Sequence, residues 1–162
     1  MAFRRGLNLH LWLLLAWVFI LAFFFAKLEI QIEGPAGWAT NLPTWRVEKH
    51  WLLDFFWGSR PLTGYHAWAF SFMALIFHFP CFVFGQWSMR HEARILGSLM
   101  LFWIIEDFLW FIMNPAFGIG KFNPQSIPWH KKWIWIVPTD YVVFSLAGCI
   151  LIWLSFRNSK IS

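Results

Sequence analysis

Four long apolar stretches alternate with short polar connections along the chain. They cover approximately residues 9–28, 64–87, 93–113 and 133–156. A helix of about 20 apolar residues is long enough to cross the hydrocarbon core of a bilayer, because each residue adds about 1.5 Å. The pattern therefore predicts an all-α membrane protein, in which four transmembrane helices form an up-down bundle.

The connections between these stretches predict how the helices follow one another. The connection around Arg90 to Glu92 is so short that the second and third helices must be antiparallel neighbours. The first and third connections are longer and lie on the same side, which we call the loop face; the opposite side, with both termini, is the terminal face. Little chain remains outside the spans, so residues 1–162 are expected to form a single membrane domain.

An amphipathic segment interrupts the first connection, over approximately residues 46–57. Its apolar side chains recur at helical spacing, and its charged and polar side chains fall on the opposite side. We interpret it as an interfacial helix lying flat on the loop face. Before it, polar and apolar residues alternate over 29–33, which predicts a short extended piece that ends at Gly34 and Pro35.

The composition agrees with a membrane location. Hydrophobic residues make up 59% of the chain and charged residues 13%, against averages of about 45–50% and 25% in soluble domains. Fourteen tryptophans fit a protein with two membrane interfaces. The net charge of +5 suits a surface of anionic lipid, and no basic patch indicates nucleic-acid binding. Basic residues are concentrated in less chain on the terminal face, so we expect both termini in the cytoplasm.

Ionisable residues inside the spans are the candidate functional residues. An ionisable group within a membrane costs about 2.5–3.5 kcal/mol on insertion scales, so its presence points to function. At about 1.5 Å per residue, two of the carboxylates lie about 10 Å below the loop face and the third about 3–12 Å below it, depending on where the fourth helix begins, while one histidine lies about 20 Å below it. The candidates are Glu106, Asp107 and Asp140, the deeper His78, and the interfacial His66 and His130.

These residue types predict a metal site. Carboxylate oxygens and neutral imidazole nitrogens are ligands of divalent zinc, iron and manganese. Glu106, Asp107 and Asp140 are therefore predicted as catalytic residues, acting as metal ligands or general bases. The predicted metal ligands are these three carboxylates together with His66, His78 and His130. A haem held by His66 and His130 would fit their similar depth, but we favour a divalent metal over it.

A structural role for the same residues stays open. Buried carboxylates can be protonated, or paired with Lys27, Lys131 or Arg94, and can then serve only to hold helices in register. His78 can be a packing histidine, while the interfacial position of His66 and His130 favours ordinary solvation. The chain has no HExxH motif, no Glu-x-x-His pair and no histidines three or four residues apart.

The sequence-based hypothesis is a multi-pass integral membrane protein with a metal-dependent enzymatic site that opens toward the loop face. Its substrate would be apolar or lipid-like and would enter from the bilayer. One alternative is a small proton- or cation-coupled transporter, which would need homo-oligomers because four spans are few for alternating access. The other is a non-catalytic assembly subunit that binds a larger membrane partner through its aromatic faces.

Overall fold

The computed structural model of the protein describes residues 2–56 and 60–157. Helices dominate it: α1 (Ala2–Glu33), α2 (Trp51–Phe56), α3 (Gly64–Phe84), α4 (Met89–Met113) and α5 (Thr139–Phe156). Four of the helices are long and apolar enough to cross a membrane, over Leu9–Glu33, Gly64–Phe84, Met89–Met113 and Thr139–Phe156. The prediction of a mostly helical chain with four such helices is confirmed.

Helix α4 is the centre of the arrangement. It packs extensively against α1 and α5 and more sparsely against α3. Two glycines allow the closest approach: a Cβ added to Gly97 of α4 would lie 2.7 Å from the carbonyl oxygen of Gly148 in α5. Small residues at such crossings let helix backbones touch, which is how helices associate where water supplies no hydrophobic force.

Two clusters of buried side chains hold the helices together. One lies midway along them and centres on Phe102, which meets Phe25 and Phe77 edge to face. The other lies toward the loop face, where Trp110 and Phe111 of α4 pack on the third connection. This second cluster anchors the loops on the helix ends and so gives the loop face a defined structure.

Each of the two long connections contains a short pair of antiparallel strands. Strand β1 (Arg46–Val47) pairs with β2 (Leu62–Thr63), and β3 (Trp133–Ile134) pairs with β4 (Val137–Pro138). The interfacial helix predicted over 46–57 is therefore shorter than expected. Arg46 and Val47 pair as a strand instead, and α2 begins only at Trp51. Residue 57 lies outside the described residues.

Other boundaries also differ from the sequence-based expectation. Helix α3 ends at Phe84 rather than at residue 87, and α4 begins at Met89 rather than at residue 93, so the short connection lies at residues 85–88. The extended piece predicted over 29–33 is wrong, since α1 continues as a helix through Glu33. The fourth span begins at Thr139 rather than at residue 133, because residues 133–138 form the hairpin of β3 and β4. Asp140 consequently lies in the first turn of α5, where the helix dipole favours a carboxylate.

Candidate functional site

A cavity of about 480 Å³ opens at the loop-face end of the helices, and we call it the loop-side cavity. Helices α1, α3, α4 and α5 all contribute to its lining, together with residues of both long connections. Its walls combine aromatic and aliphatic side chains with ionisable ones. The ionisable residues are Glu29, Glu33, Arg60, His66, Glu106, Asp107, His130, Asp140 and Tyr141.

Two glutamates and a histidine meet on one side of this cavity. Ligand atoms of Glu29, Glu33 and His66 all lie within 4.8 Å of one another, and all three residues are buried. Glu29 and Glu33 are four residues apart on α1, so the helix presents both carboxylates on the same face. We call these residues the carboxylate–histidine group.

The orientation of His66 depends on Thr63, the N-cap residue of α3. The Thr63 hydroxyl accepts a hydrogen bond from the His66 backbone N–H and contacts His66 Nδ1 at 2.7 Å. On its other side the His66 ring stacks on Trp38, with 4.2 Å between ring centroids. The contact with Thr63 engages Nδ1, so Nε2 is the ring nitrogen available to a ligand in the cavity.

Glu106 extends the buried acidic surface. Its carboxyl lies beside that of Glu29, and its Oε1 atom is buried without a hydrogen-bond partner among the described residues. The Tyr65 hydroxyl also lies near Glu29, without reaching hydrogen-bonding geometry. Buried polar atoms are nearly always satisfied in native structures. The orphaned Glu106 oxygen therefore marks a position where a proton, a water molecule or a cation is expected.

A second polar group, the His130 network, occupies the side of the cavity between α4 and α5. His130 Nε2 lies 3.0 Å from Asp107 Oδ2, and its Nδ1 lies 3.2 Å from Asp140 Oδ2. The Tyr141 hydroxyl donates to Asp107 at 2.5 Å, and Arg60 donates to Asp140 at 2.6 Å. His130 thus bridges two carboxylates that come from different helices.

Electrostatics favour a charged His130. Its side chain is only 2% exposed, and burial alone would lower the pKa of the imidazole. The adjacent Asp107 and Asp140 carboxylates outweigh this effect and raise the His130 pKa to about 9. The two carboxylates therefore favour the imidazolium form of His130 at neutral pH. Asp107 and Asp140 retain side-chain exposures of 28% and 25%, so they connect it to the cavity.

Gly37 and Trp38 of the first connection also line the cavity. Trp38 donates from its indole N–H to the carbonyl oxygen of Pro61 at 2.7 Å, and the Arg60 guanidinium lies over its ring. Gly37 sits against the ring of Trp129, and an added Cβ there would lie 2.4 Å from that ring. These contacts join the first connection to the third above the two polar groups.

No known protein family, curated protein or solved structure matches this chain.

The structure brings five of the six sequence-predicted site residues to the same cavity. Glu106, Asp107, Asp140, His66 and His130 all line it, with Glu106 beside Glu29 and Asp107 beside His130. Glu106 and Asp107, which are adjacent in the sequence, thus reach the cavity from different sides. Solvation, the simpler expectation for the two interfacial histidines, is wrong: both are buried, at about 5% exposure.

His78 does not join this cavity. Its Nδ1 contacts the carbonyl oxygen of Ala74 at 2.7 Å, four residues back on the same helix. Its Nε2 lies 3.3 Å from Glu92, near the start of α4 at the terminal face. These contacts agree with the alternative of a packing histidine.

Sequence reasoning missed four residues of the site. Glu29 and Glu33 were assigned to an extended piece, although their spacing of four is the signal for a shared helical face. Tyr141 adjoins Asp140 and gave no separate signal. Arg60 lies in the first connection, and its ion pair with Asp140 spans 80 positions of the chain. No local pattern could have predicted that contact.

Proposed function

We propose that this protein is a membrane enzyme that uses a divalent metal to act on an apolar or lipid-like substrate. Its four long helices span the bilayer as an up-down bundle, with α2 at the loop-face interface and both termini in the cytoplasm. The observation that carries the proposal is the convergence of the carboxylate–histidine group and the His130 network on one largely apolar cavity.

The carboxylate–histidine group has the chemistry of a metal site. A metal with bonds of about 2.0–2.2 Å places its ligand atoms at most about 4.4 Å apart, so separations within 4.8 Å close with small side-chain rotations. Two carboxylates and one imidazole suit zinc, iron or manganese. Three protein ligands also leave a coordination position for substrate, which is typical of catalytic rather than structural sites.

The surroundings of this group support a cation. Glu29, Glu33 and Glu106 place three buried carboxyls close together, and a buried carboxylate is strongly unfavourable unless it is paired or neutralised. Among the described residues that line the cavity, the only arginine is Arg60, which binds Asp140. A divalent ion held by Glu29 and Glu33 would offset the negative charge of these neighbouring carboxyls. It would supply Lewis-acid polarisation of a substrate oxygen.

The His130 network supports a role in proton transfer. An imidazolium held between two carboxylates is a proton reservoir, and Asp107 is its contact with the cavity. The His130 side chain is only 2% exposed, against 28% for Asp107, so it acts mainly as a positioning and charge-supplying residue behind Asp107. Asp107 would exchange the proton with the substrate, and Tyr141 would hold the Asp107 carboxylate in place.

The apolar wall of the cavity supports a hydrophobic substrate. Along α4 the lining continues away from the polar groups, between α3 and α5, which do not pack extensively on each other. A hydrocarbon chain could enter from the bilayer through this gap and place its polar end at the metal. The wall consists of Phe70, Leu96, Leu99, Met100, Trp103, Ile104 and Phe144.

Metal content tests whether the protein binds a divalent metal at this site. Protein purified after metal-replete expression should contain near-equimolar zinc, iron or manganese by elemental analysis. Glu33→Gln removes one ligand charge while keeping a hydrogen-bond acceptor for Ala39 N–H, and it should lose the metal. Glu48→Gln, the same change at an exposed position, should retain it. Metal-free wild-type protein, or a folded Glu33→Gln variant that keeps its full metal content, would refute this site.

Lipid analysis tests whether the protein acts on an apolar or lipid-like substrate. Membranes from cells that express the wild-type protein or Glu48→Gln should contain a lipid species altered in amount relative to membranes with Glu33→Gln. Asp107→Asn should retain the metal yet reduce turnover by about 10²–10⁴, the usual contribution of a positioned proton donor. If no lipid changes and reconstituted vesicles instead take up protons or cations, the transporter alternative replaces the enzyme.

A further inference from the structure

A second large cavity lies at the opposite end of the helices, on the terminal face. It has a volume of about 650 Å³, and we call it the terminal-side cavity. Residues from α1, α4 and the end of α5 line it. Its basic or titratable side chains are those of His10, Arg90, Arg94 and Arg157, and none of the described residues that line it is acidic.

Arg94 is the central basic residue of this cavity. Its guanidinium lies over the Phe156 ring, 4.2 Å from the centroid, and makes only long contacts of 3.4 and 3.5 Å with Ser155 oxygens. A guanidinium carries five N–H donors. Most of the donors of Arg94 are therefore not used by the described residues, although the side chain is only partly exposed.

Arg157 and Arg90 complete the positive lining at the membrane surface. Arg157 follows α5 directly, is exposed, and lies 5.3 Å from the centroid of the Trp153 ring. Arg90 lies in the first turn of α4. Leu13 and Leu14 of α1 form the apolar side of the same cavity. The lining thus changes from guanidinium groups to hydrocarbon within one site.

We propose that the terminal-side cavity binds the phosphate headgroup of an anionic phospholipid, with an acyl chain along Leu13 and Leu14. Arginine forks match phosphate oxygens in pairs, and basic pockets between transmembrane helices are suited to anionic headgroups. An adjoining apolar wall distinguishes a lipid from a free phosphate ion, which would need no such wall. This site is independent of the metal and of the chemistry at the loop face.

Lipid binding by the purified protein tests this proposal. Native mass spectrometry in mild detergent, with phosphatidylglycerol or phosphatidylcholine added in parallel, measures the preference for the anionic lipid. The double variant Arg94→Gln/Arg157→Gln removes two of the guanidinium groups. The matched control is Lys49→Gln/Lys132→Gln, which removes the same charge from exposed positions on the loop face. Excess inorganic phosphate is added in a competition arm.

The wild-type protein and the lysine control should bind phosphatidylglycerol at least tenfold more tightly than phosphatidylcholine. The arginine variant should lose this preference, and inorganic phosphate should not displace the bound lipid. An unchanged preference in the arginine variant would overturn the proposal, as would displacement of the lipid by millimolar phosphate. If the double variant does not fold, Arg157→Gln alone is used, since Arg157 is exposed and its guanidinium packs on the Trp153 ring at the surface. This single variant should weaken the preference, and an unaltered preference would refute the site.

Discussion

The contact between Thr63 and His66 allows the metal proposal to be tested without touching a ligand. Thr63 is fully buried, and its hydroxyl contacts His66 Nδ1 at 2.7 Å. Groups that orient a metal-binding histidine in this way are worth about 10–100-fold in metal affinity. That range corresponds to about 1.4–2.8 kcal/mol. Thr63→Val keeps the shape of the side chain, removes the hydroxyl and should weaken metal binding by this factor.

The same hydroxyl also caps α3, so stability must be separated from affinity. Loss of an N-cap costs about 1 kcal/mol, and Thr63→Val should lower the melting temperature measured by tryptophan fluorescence. Thr63→Ser should restore both properties because it keeps the oxygen. Thr40→Val is the matched control, since the Thr40 hydroxyl donates a hydrogen bond of 2.6 Å to the Gly37 carbonyl oxygen and not to a proposed ligand.

A competition titration against a chromophoric chelator, well below the melting temperature, measures the affinities. Thr40→Val and Thr63→Ser should resemble the wild-type protein, and Thr63→Val should not. If Thr63→Val binds the metal as tightly as the wild-type protein, the reasoning that His66 is a ligand oriented by Thr63 is refuted.

Two further predictions concern the helix contacts and the His130 network. Gly97→Ala places a Cβ 2.7 Å from the backbone oxygen of Gly148, which no rotamer change relieves, and should destabilise the protein by about 1–3 kcal/mol. Gly120→Ala meets open space and should be neutral in the same thermal unfolding assay, so equal effects would contradict close helix packing. Asp107 and Asp140 raise the His130 pKa from 6.5 to about 9. Protonated His130 therefore stabilises the folded state by about 3 kcal/mol. This stabilisation is complete below pH 6.5 and is lost as the pH rises through 9. Melting temperatures should therefore fall more between pH 6.5 and 9.5 in the wild-type protein than in His130→Gln, and parallel curves would exclude His130 as the cause.

Helices long and apolar enough to cross a membrane could be predicted from the sequence because length and hydropathy depend on local composition. A run of about 20 apolar residues has few alternatives in lipid to satisfying its backbone hydrogen bonds within a helix. The same reasoning failed at residues 29–33, where an alternating pattern favoured an extended piece. Glu29 and Glu33 are helical there and lie in a buried site, where Glu33 accepts a hydrogen bond from the Ala39 backbone. That burial depends on other helices and is not visible in five residues.

Local sequence patterns were enough to predict that this chain carries four long apolar helices and that carboxylates and histidines near the loop face are its unusual residues. The packing of the helices determines which of these residues meet. It separated His78 from the others, added Glu29, Glu33 and Arg60, and buried His130 between two aspartates from different helices. Helix formation depends on residues that are neighbours in the sequence. A site depends instead on how each whole helix is rotated where it packs against α4.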